Sequence, residues 1–287
     1  MRILILGGDG MLGHRLLSHM QSRHDVRVTL RLDLGEYARF GLFGEHNAFP
    51  SVDVRSTERL LEVFAAFRPE TIVNAVGIVK QRNEAREAIP SIEINALLPH
   101  RLAVLAQAAG ARLVHLSTDC VFSGRDGHYT ESSPADADDL YGKSKFLGEV
   151  NDPGCITLRT SIIGPELSRK TGLLEWFLAQ KGTIRGFKRA IYTGFTTGEM
   201  SRIIEMLLVR FPGAGGVYHV SSDPISKFDL LTLVRDRLGC AIEILPDETF
   251  VCDRSLDSSR FRKEFRYSPP AWPAMIDELA SELKERA

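Results

Sequence analysis

The sequence is poor in cysteine and lacks any long apolar run. Its four cysteines, Cys120, Cys155, Cys240 and Cys252, are scattered, with no close pair and no spacing typical of a metal site. This scatter fits a reducing compartment and predicts no metal centre. The apolar start at residues 1–6 meets glycine at once, far short of a signal peptide core or a spanning helix. We therefore expect a soluble, cytoplasmic protein with no membrane partner.

An excess of charge of either sign is also missing. The 36 basic and 37 acidic residues leave a net charge of -1, so no overall field draws the protein to nucleic acid or to an anionic membrane. An anionic ligand must then be met by a local group of cations. The 287 residues, 44% hydrophobic and 25% charged, suffice for one large α/β domain with a smaller lobe, or for two small domains.

A glycine-rich segment follows the first apolar run, which predicts a strand. The segment leads into residues 14–20, which have helical spacing. Glycines permit a tight turn and let the backbone approach a diphosphate, and the start of the helix attracts its negative charge. Two dinucleotide-binding spacings fit this segment, Gly7-x-x-Gly10-x-x-Gly13 and Gly8-x-Gly10-x-x-Gly13. The sequence therefore does not assign a structural role to each glycine. The predicted cofactor residues of this segment are Gly7, Gly10, Met11, Leu12 and Gly13.

A second strand is predicted at residues 26–31, about 20 residues beyond the glycines. An NAD enzyme usually has an acidic side chain there, on the ribose 2′-hydroxyl, whereas this chain has Arg31. A guanidinium suits a 2′-phosphate, so Arg31 favours NADP as the cofactor, with NAD as the alternative. Asp33 could take the acidic role if the strand ends later.

The pattern then alternates without reversal between helices and strands. A helix is predicted at residues 57–67, a strand at 69–77, a helix at 92–109, and a strand that ends at Ser117. Ala75, Val76 and Gly77 are small enough for the backbone to lie against a cofactor ribose. This alternation predicts an α/β, Rossmann-type, doubly wound parallel sheet.

The pattern changes after the strand at residues 155–165. Residues 181–197 are polar and rich in glycine, threonine and cations, and residues 216–221 are predicted to rejoin the sheet as a strand. We expect an NAD(P)-binding domain of residues 1–165 that also receives a strand and a helix from about 216–239. Residues 166–215 and 240–287 are predicted to form a smaller C-terminal substrate-binding lobe.

Three groups suited to carbonyl reduction come together in this arrangement. Thr118 lies at the carboxyl end of a predicted strand, where open α/β sheets bind ligands. Tyr141 and Lys145 are four residues apart, on one face of a helix. The hydroxyl can hold the carbonyl oxygen and the phenol can donate the proton. We expect the ammonium to lower the pKa of the phenol toward neutrality. A lone Tyr-x-x-x-Lys is common by chance. The hypothesis that Tyr141 and Lys145 are catalytic therefore depends on their position after this strand, in a chain that begins with a glycine loop.

Together these motifs resemble the extended short-chain dehydrogenase/reductase superfamily, and within it the dTDP-4-dehydrorhamnose reductase family. The matching stretches are residues 117–122, 140–145 and 158–161. The resemblance implies Tyr141 as general acid, Lys145 as its partner and ligand of the nicotinamide ribose, and Thr118 as the hydroxyl on the substrate carbonyl. It implies further roles for residues that each have a simpler explanation: Asp119 as an assistant, Asn95 in a water relay or as a core residue, and Asp53 with Val54 against adenine, unless Asp53 is only a helix cap.

The sequence departs from the family pattern at three places. Cys120 replaces a tyrosine, Ile162 replaces an aromatic residue, and Thr196-Thr197 replaces a Pro-Thr pair. The change at Cys120 is expected to affect packing. The other two changes lie where the family binds the sugar or the base, so the resemblance does not identify the sugar.

The second lobe carries candidate groups for a nucleotide-sugar. A cation could neutralise the diphosphate or could be an ordinary surface charge, and an aromatic ring could stack on the base or pack in the core. The cations are Lys170, Arg185, Lys188, Arg189, Arg254 and Arg260, and the aromatic residues are Trp176 and Phe177.

The resemblance implies NADPH-dependent reduction of a 4-keto group on a deoxysugar linked to a nucleoside diphosphate. One alternative is a sister extended reductase or epimerase that acts on another nucleotide-sugar. The other is a non-catalytic NADP-binding regulatory subunit, because the regulatory subunit of methionine adenosyltransferase also resembles this family. The sequence does not determine the oligomeric state. A homodimer is compatible with it.

Overall fold

A seven-stranded parallel sheet with helices on both faces forms the main body of the computed structural model, which describes residues 1–79, 87–168 and 170–285. Its strand order, β11-β6-β5-β4-β1-β2-β3, is that of a doubly wound Rossmann sheet, as the sequence predicts. The strands are β1 (Arg2–Leu6), β2 (Asp25–Thr29), β3 (Ala48–Phe49), β4 (Thr71–Asn74), β5 (Arg112–Thr118), β6 (Cys155–Thr160) and β11 (Gly216–His219).

Burial on both faces explains why these strands are continuous apolar runs. In β1, Ile3 and Ile5 face one apolar cluster, whereas Leu4 and Leu6 face the other. All four side chains are fully buried. A parallel strand covered by helices on both sides has no solvent face and therefore no polar alternation. The rejoining strand is confirmed as well, since β11 pairs with β6.

The helices agree with the sequence where the apolar spacing is regular. α3 (Thr57–Phe67) has the predicted bounds, and the Ser56 side chain caps it by accepting a hydrogen bond from the amide of Arg59. The other helices around the sheet are α1 (Met11–Met20), α2 (Leu34–Tyr37), α4 (Ala88–Ser91), α5 (Leu98–Ala108), α6 (Leu140–Leu147) and α8 (Thr197–Arg210).

Several sequence-based bounds differ from the structure. The predicted helix at 92–109 is not α-helical throughout, because residues Ile92–Leu97 form a π-helix between α4 and α5. Residues 35–50 have no clear apolar period, which predicts a loop with a short strand or turn, and they contain most of α2 as well as β3. The apolar spacing predicts that the helix of Tyr141 and Lys145 continues to about residue 150, but it ends at Leu147. Apolar periodicity does not distinguish an α-helix from a π-helical turn within it.

The second lobe is built from short strands and helices. Residues 181–197, predicted only as polar, contain β8 (Gly182–Phe187), β9 (Ala190–Tyr192) and β10 (Phe195–Thr196). The remaining elements are β7 (Ile162–Ile163), β12 (Ile225–Ser226), β13 (Ile242–Asp247), β14 (Cys252–Asp253), α7 (Leu173–Leu178), α9 (Lys227–Leu238), α10 (Ser259–Glu264) and α11 (Trp272–Glu285).

Packing places two helices differently from the predicted division of the chain. α8, assigned above to the substrate-binding lobe, packs against α1 of the first domain. α9, assigned to the first domain, packs against β8, β13 and α11. One apolar cluster includes Leu16 of α1, Val114 of β5, Phe177 of α7 and Ile276 of α11, so a single core joins the two parts.

Within the described ranges, no helix is both long and apolar enough to cross a bilayer.

Candidate functional site

The glycine loop between β1 and α1 shows what each glycine does. Gly7 has a φ of +83°, which favours glycine, and it makes the turn. A Cβ on Gly13 would overlap the carbonyl oxygen of Gly7, so Gly13 lets the helix pack on the strand. A Cβ on Gly10 would lie 3.2 Å from the same oxygen, a tight contact. A Cβ on Gly8 would lie 2.5 Å from the Val28 side chain, so this position is also closely packed. Both predicted spacings therefore contain glycines that the packing of the loop requires, and Gly7 alone among them has a positive φ.

A cavity of about 460 Å³ opens at this loop, along the carboxyl ends of β1, β2 and β4. Its volume lies in the range of small-molecule sites. Eight of the cofactor residues predicted from the sequence line it. They are Gly7, Gly10, Arg31, Asp53, Val54, Ala75, Val76 and Gly77.

Met11, Leu12 and Gly13 were also predicted as cofactor residues, but they are not among the side chains that line this cavity. They form the first turn of α1, which starts directly after Gly10. The Leu12 side chain is buried in the core. Met11 points toward Gly172 of the second lobe. Any contact of these residues with a ligand would therefore come from their backbone.

The far end of the cavity carries charges of both signs. Arg55 pairs with Asp53, with 2.6 Å between Nη2 and Oδ2, and this hydrogen-bonded pairing lowers the pKa of the Asp53 carboxyl. Asp53 is not the cap of α3, because Ser56 holds that position. Arg31 is exposed at the same cavity wall. Asp33, the alternative acidic group, accepts a hydrogen bond from Ser51 and is not among the lining residues.

Several cavity residues were missed by the sequence analysis. Asp9 stands inside the glycine loop, and Arg55 is two residues beyond the predicted Asp53, so position alone could have identified both. Pro90 and Ile94 come from α4 and the π-helix, whose geometry gave no signal in the sequence. The full set of missed lining residues is Asp9, Thr29, Val52, Arg55, Ile78, Pro90 and Ile94.

Thr118, Tyr141 and Lys145 meet beside this cavity. Thr118 ends β5, and Asp139 caps the start of α6 by accepting a hydrogen bond from the amide of Gly142. The buried Lys145 ammonium donates a hydrogen bond to the carbonyl oxygen of Leu116 at 2.6 Å. It also lies about 4.0 Å from the position of a Cβ on Gly77. Lys145 therefore borders the cavity at Gly77.

The expected effect of Lys145 on Tyr141 is not what the structure shows. Burial raises the pKa of the Tyr141 phenol above its ordinary value, and Cys120 and Asp119 add to this effect. A side-chain hydrogen bond with Thr118 opposes the rise, but Lys145 is not among the main causes of the shift. Burial also lowers the pKa of Lys145 to about 8, with Glu149 opposing the change. Desolvation of both groups is stronger than the attraction that the sequence analysis invoked.

Thr118 and Asp119 are held together. The Thr118 hydroxyl donates to Oδ1 of Asp119 at 3.1 Å and accepts from the amide of Cys120 at 3.1 Å. Burial raises the pKa of Asp119, while the nearby Arg254 guanidinium lowers it. Arg254 in turn donates to the carbonyl oxygens of Phe122 and Ser123.

Asn95 fixes the wall of the cavity. Its side-chain oxygen accepts from the amide of Ile78 at 2.9 Å, and its nitrogen donates to the carbonyl oxygen of Ile78 at 3.1 Å. The same nitrogen donates to the hydroxyl of Ser144 in α6. Asn95 thus joins the π-helix, the exit of β4 and the helix that carries Tyr141.

A buried ion pair lies behind the catalytic candidates. Arg159 and Glu149 approach to 2.7 Å, with 6% of each side chain exposed. Glu149 also accepts a hydrogen bond from Ser117, next to Thr118. Arg159 contacts the ring nitrogen of His219 on β11 at 3.1 Å. This pair, which the sequence analysis did not single out, ties the end of α6 to three neighbouring strands.

The candidate groups of the second lobe fall into two classes. Arg254 lies near Asp119, and Trp176 is exposed at 42%, so both can meet a ligand. Phe177 is fully buried and belongs to the core. The other candidate cations are at the surface: Arg185 beside Asp247, Lys188 over the ring of Phe228, Arg260 over the ring of Tyr218, and the exposed Lys170 and Arg189.

Comparison with known proteins assigns the chain to a family. A family model described as the RmlD substrate binding domain matches residues 1–284. The chain belongs to this family. The resemblance to the dTDP-4-dehydrorhamnose reductases that the motifs indicated is therefore confirmed at the family level.

Relatives of this RmlD-family chain include two kinds of protein. dTDP-4-dehydrorhamnose reductase of Aggregatibacter actinomycetemcomitans is 26% identical, over 97% of this chain and 98% of the relative. Methionine adenosyltransferase 2 subunit beta of Rattus norvegicus is 28% identical, over 58% of this chain and 48% of that protein. Among solved structures, dTDP-4-dehydrorhamnose reductase of Bacillus anthracis in complex with NADP has a TM-score of 0.79 at 21% identity. That likeness covers 98% of this chain and 99% of the other, and it shows the same fold.

Proposed function

We propose that this chain is an NADPH-dependent reductase of a 4-keto group on a deoxysugar linked to a nucleoside diphosphate. The observation that carries the proposal is the meeting of Thr118, Tyr141 and Lys145 beside the glycine-lined cavity. The relative from Aggregatibacter actinomycetemcomitans, which matches nearly the whole chain, is named for this reaction. NADH is the alternative cofactor.

The cavity residues fit a dinucleotide. The positive φ of Gly7 and the close packing at Gly13 bring the backbone and the first turn of α1 to the cavity, where a diphosphate is attracted to the helix start. Arg31 at the far end suits a ribose 2′-phosphate. A bound nicotinamide would supply the hydride.

Tyr141 acts as the proton donor in this proposal. Its raised pKa keeps the phenol protonated, which is the form required to give a proton to a carbonyl oxygen. Thr118 donates a hydrogen bond to the same oxygen when its hydroxyl hydrogen turns from Asp119 to the substrate. Lys145 holds its ammonium against Leu116 at the edge of the cavity, where it can bind the nicotinamide ribose and oppose the negative charge left on Tyr141.

Replacement of Tyr141 tests the proposal. The unmodified chain is expected to consume NADPH with one member of a panel of 4-keto-6-deoxy nucleotide-sugars, measured by the loss of NADPH absorbance. Loss of a general acid commonly costs about 10²- to 10⁴-fold, so Tyr141→Phe is expected to reduce kcat by that factor with little change in NADPH affinity. Tyr218→Phe, which removes a buried phenol bonded to Glu264, is the matched control and should keep its activity. Cofactor binding without turnover on any sugar would contradict the reductase.

A second candidate is a non-catalytic, NADP-binding regulatory subunit. The similarity to methionine adenosyltransferase 2 subunit beta favours it. In that case the unmodified chain would bind NADPH without consuming it on any member of the sugar panel. Stable oxidation of one equivalent of NADPH per sugar would exclude this candidate, and also a redox-neutral epimerase.

The remaining parts of the proposal concern the setting of the enzyme. We place it in the cytoplasm, where its four free cysteines stay reduced, and we retain a homodimer as a proposed assembly. A nucleotide-sugar is its proposed partner, and neither nucleic acid nor a membrane is part of the proposal.

A further inference from the structure

The cavity is lined by four charged side chains of mixed sign. Asp53 and Arg55 pair with each other, with Nη2 and Oδ2 2.6 Å apart. Arg31 and Asp9 line the same cavity with opposite charges. Arg31 alone would favour a 2′-phosphate, so the presence of a carboxylate on the same wall needs an explanation.

Asp9 is held in place by Tyr37. The Tyr37 phenol donates a hydrogen bond to Oδ2 of Asp9 at 3.2 Å. Tyr37 is itself 5% exposed and packs edge-on against Phe43, with 5.6 Å between the ring centroids. The donor is therefore fixed in the core, and it fixes the carboxylate at the cavity wall. Asp9 lies between Gly8 and Gly10, so the glycine loop carries this carboxylate to the cavity wall.

Asp9 and Arg31 act on the Tyr37 hydroxyl with opposite charges. The pKa of the Tyr37 phenol is raised by burial and by the negative charge of Asp9, and the positive charge of Arg31 lowers it. Both charges thus lie near the Tyr37 hydroxyl. A carboxylate accepts hydrogen bonds from ribose hydroxyls and repels a phosphate, whereas a guanidinium binds a phosphate. The two side chains would bind the same ribose with opposite preferences: Asp9 for a 2′-hydroxyl and Arg31 for a 2′-phosphate.

We propose that Asp9, held by Tyr37, is a second determinant of cofactor choice that opposes Arg31 and allows the enzyme to use NADH as well as NADPH. This inference rests on the proposed function, because it assumes a dinucleotide in the cavity. Asp33 does not have this part, since it is bonded to Ser51 and does not line the cavity.

Equilibrium binding to the full chain tests the inference without any sugar. NADPH and NADH are titrated separately into the protein, and the change in cofactor fluorescence gives the ratio of the two affinities. Asp9→Asn keeps the side-chain shape and removes the charge, so the ratio should move about tenfold toward NADPH. Arg31→Gln should move it toward NADH by a similar factor. Asp33→Asn, the matched control, should leave the ratio unchanged.

Two further variants separate a role in cofactor choice from a role in folding. Tyr37→Phe removes only the hydrogen bond that positions Asp9, so it should shift the ratio in the same direction as Asp9→Asn and by less. The double variant Asp9→Asn with Arg31→Gln should return the ratio close to that of the unmodified chain, because the two preferences oppose each other.

The outcomes distinguish failure of the inference from failure of the proposed function. An unchanged ratio in Asp9→Asn, or equal weakening of both cofactors, would overturn the inference while leaving the reductase intact. Absence of binding of either cofactor to the unmodified chain would overturn the proposed function, and this inference with it.

Discussion

Lys145 is the residue whose charge depends most directly on its surroundings at the proposed catalytic centre. Burial lowers its pKa to about 8, so the ammonium and the neutral amine exchange close to physiological pH. The resemblance assigns to this ammonium both the ribose contact and the support of Tyr141. Under the proposed function, its proton is therefore part of the active form of the enzyme.

The pH dependence of the reaction follows from this pKa. Below pH about 8 the free enzyme holds the ammonium, and above it the amine is neutral, so kcat/KM should fall about tenfold per pH unit on the alkaline side. Initial rates with NADPH between pH 6 and 10 would measure this, with a buffer series at constant ionic strength as the control. A profile that stays flat to pH 10 would contradict the role given to the ammonium.

The residues of this centre were predictable from sequence, but their electrostatics were not. Tyr141, Lys145 and Thr118 are recognised by their spacing and by the strand before them, and the structure brings them together. The sequence does not contain the burial of a side chain, so the expectation that the pKa of Tyr141 falls was wrong. The position of Asp9 in the glycine loop could have indicated that it lines the cavity, but the hydrogen bond that it accepts from the buried Tyr37 could not be predicted from sequence.

At the scale of elements, the ion pair between Glu149 and Arg159 joins the end of α6 to β5, β6 and β11. The carboxylate receives hydrogen bonds from Ser117 and Arg159, and the guanidinium lies over the ring of Phe122 at 5.3 Å. Both charges are removed from water, so each depends on the other for compensation. The helix that carries Tyr141 and Lys145 is thereby fixed to the strand that carries Thr118.

Breaking this pair should be costly. Glu149→Gln leaves the Arg159 charge buried without its partner, so the free energy of unfolding should fall by about 3–5 kcal/mol in urea titrations. Glu62→Gln is the matched control, because Glu62 pairs with Arg59 on the exposed face of α3 and should change the value by less than about 1 kcal/mol. Equal small effects of the two substitutions would show that the buried pair has no special part in stability.

The elements themselves were mostly visible in the sequence. Buried parallel strands are short apolar runs, and α3 begins at a serine cap, so local chemistry determines both. The π-helix at Ile92–Leu97 has no such local cause. It follows from contacts with α6 and with the exit of β4, which Asn95 makes through Ser144 and Ile78. The short strands β8 and β9 were missed because their pairing partners are distant in sequence.

At the scale of the whole molecule, one apolar core extends across both the NAD(P)-binding domain and the second lobe. α8 lies on α1, β11 lies beside β6, and one cluster extends from the sheet to α11. Charged contacts follow the same route, since Arg15 of α1 approaches Glu278 and Glu282 of α11. The two parts therefore depend on each other for burial.

Unfolding should accordingly occur in a single transition. Both tryptophans, Trp176 and Trp272, lie in the second lobe, so their fluorescence reports on that lobe, whereas far-ultraviolet circular dichroism reports on the whole chain. We expect the two signals to give the same midpoint in urea. A fluorescence transition at clearly lower urea would show that the second lobe unfolds by itself.

The packing of α1 on α8 also determines what happens while the chain is being synthesised. The partner of α1 is made about 190 residues after it, which at about 5–20 residues per second corresponds to roughly 10–40 seconds of translation. During that time one apolar face of α1 has no native surface to cover it. The unfinished chain is therefore most exposed to aggregation, and most in need of a chaperone, before the ribosome has reached Arg210.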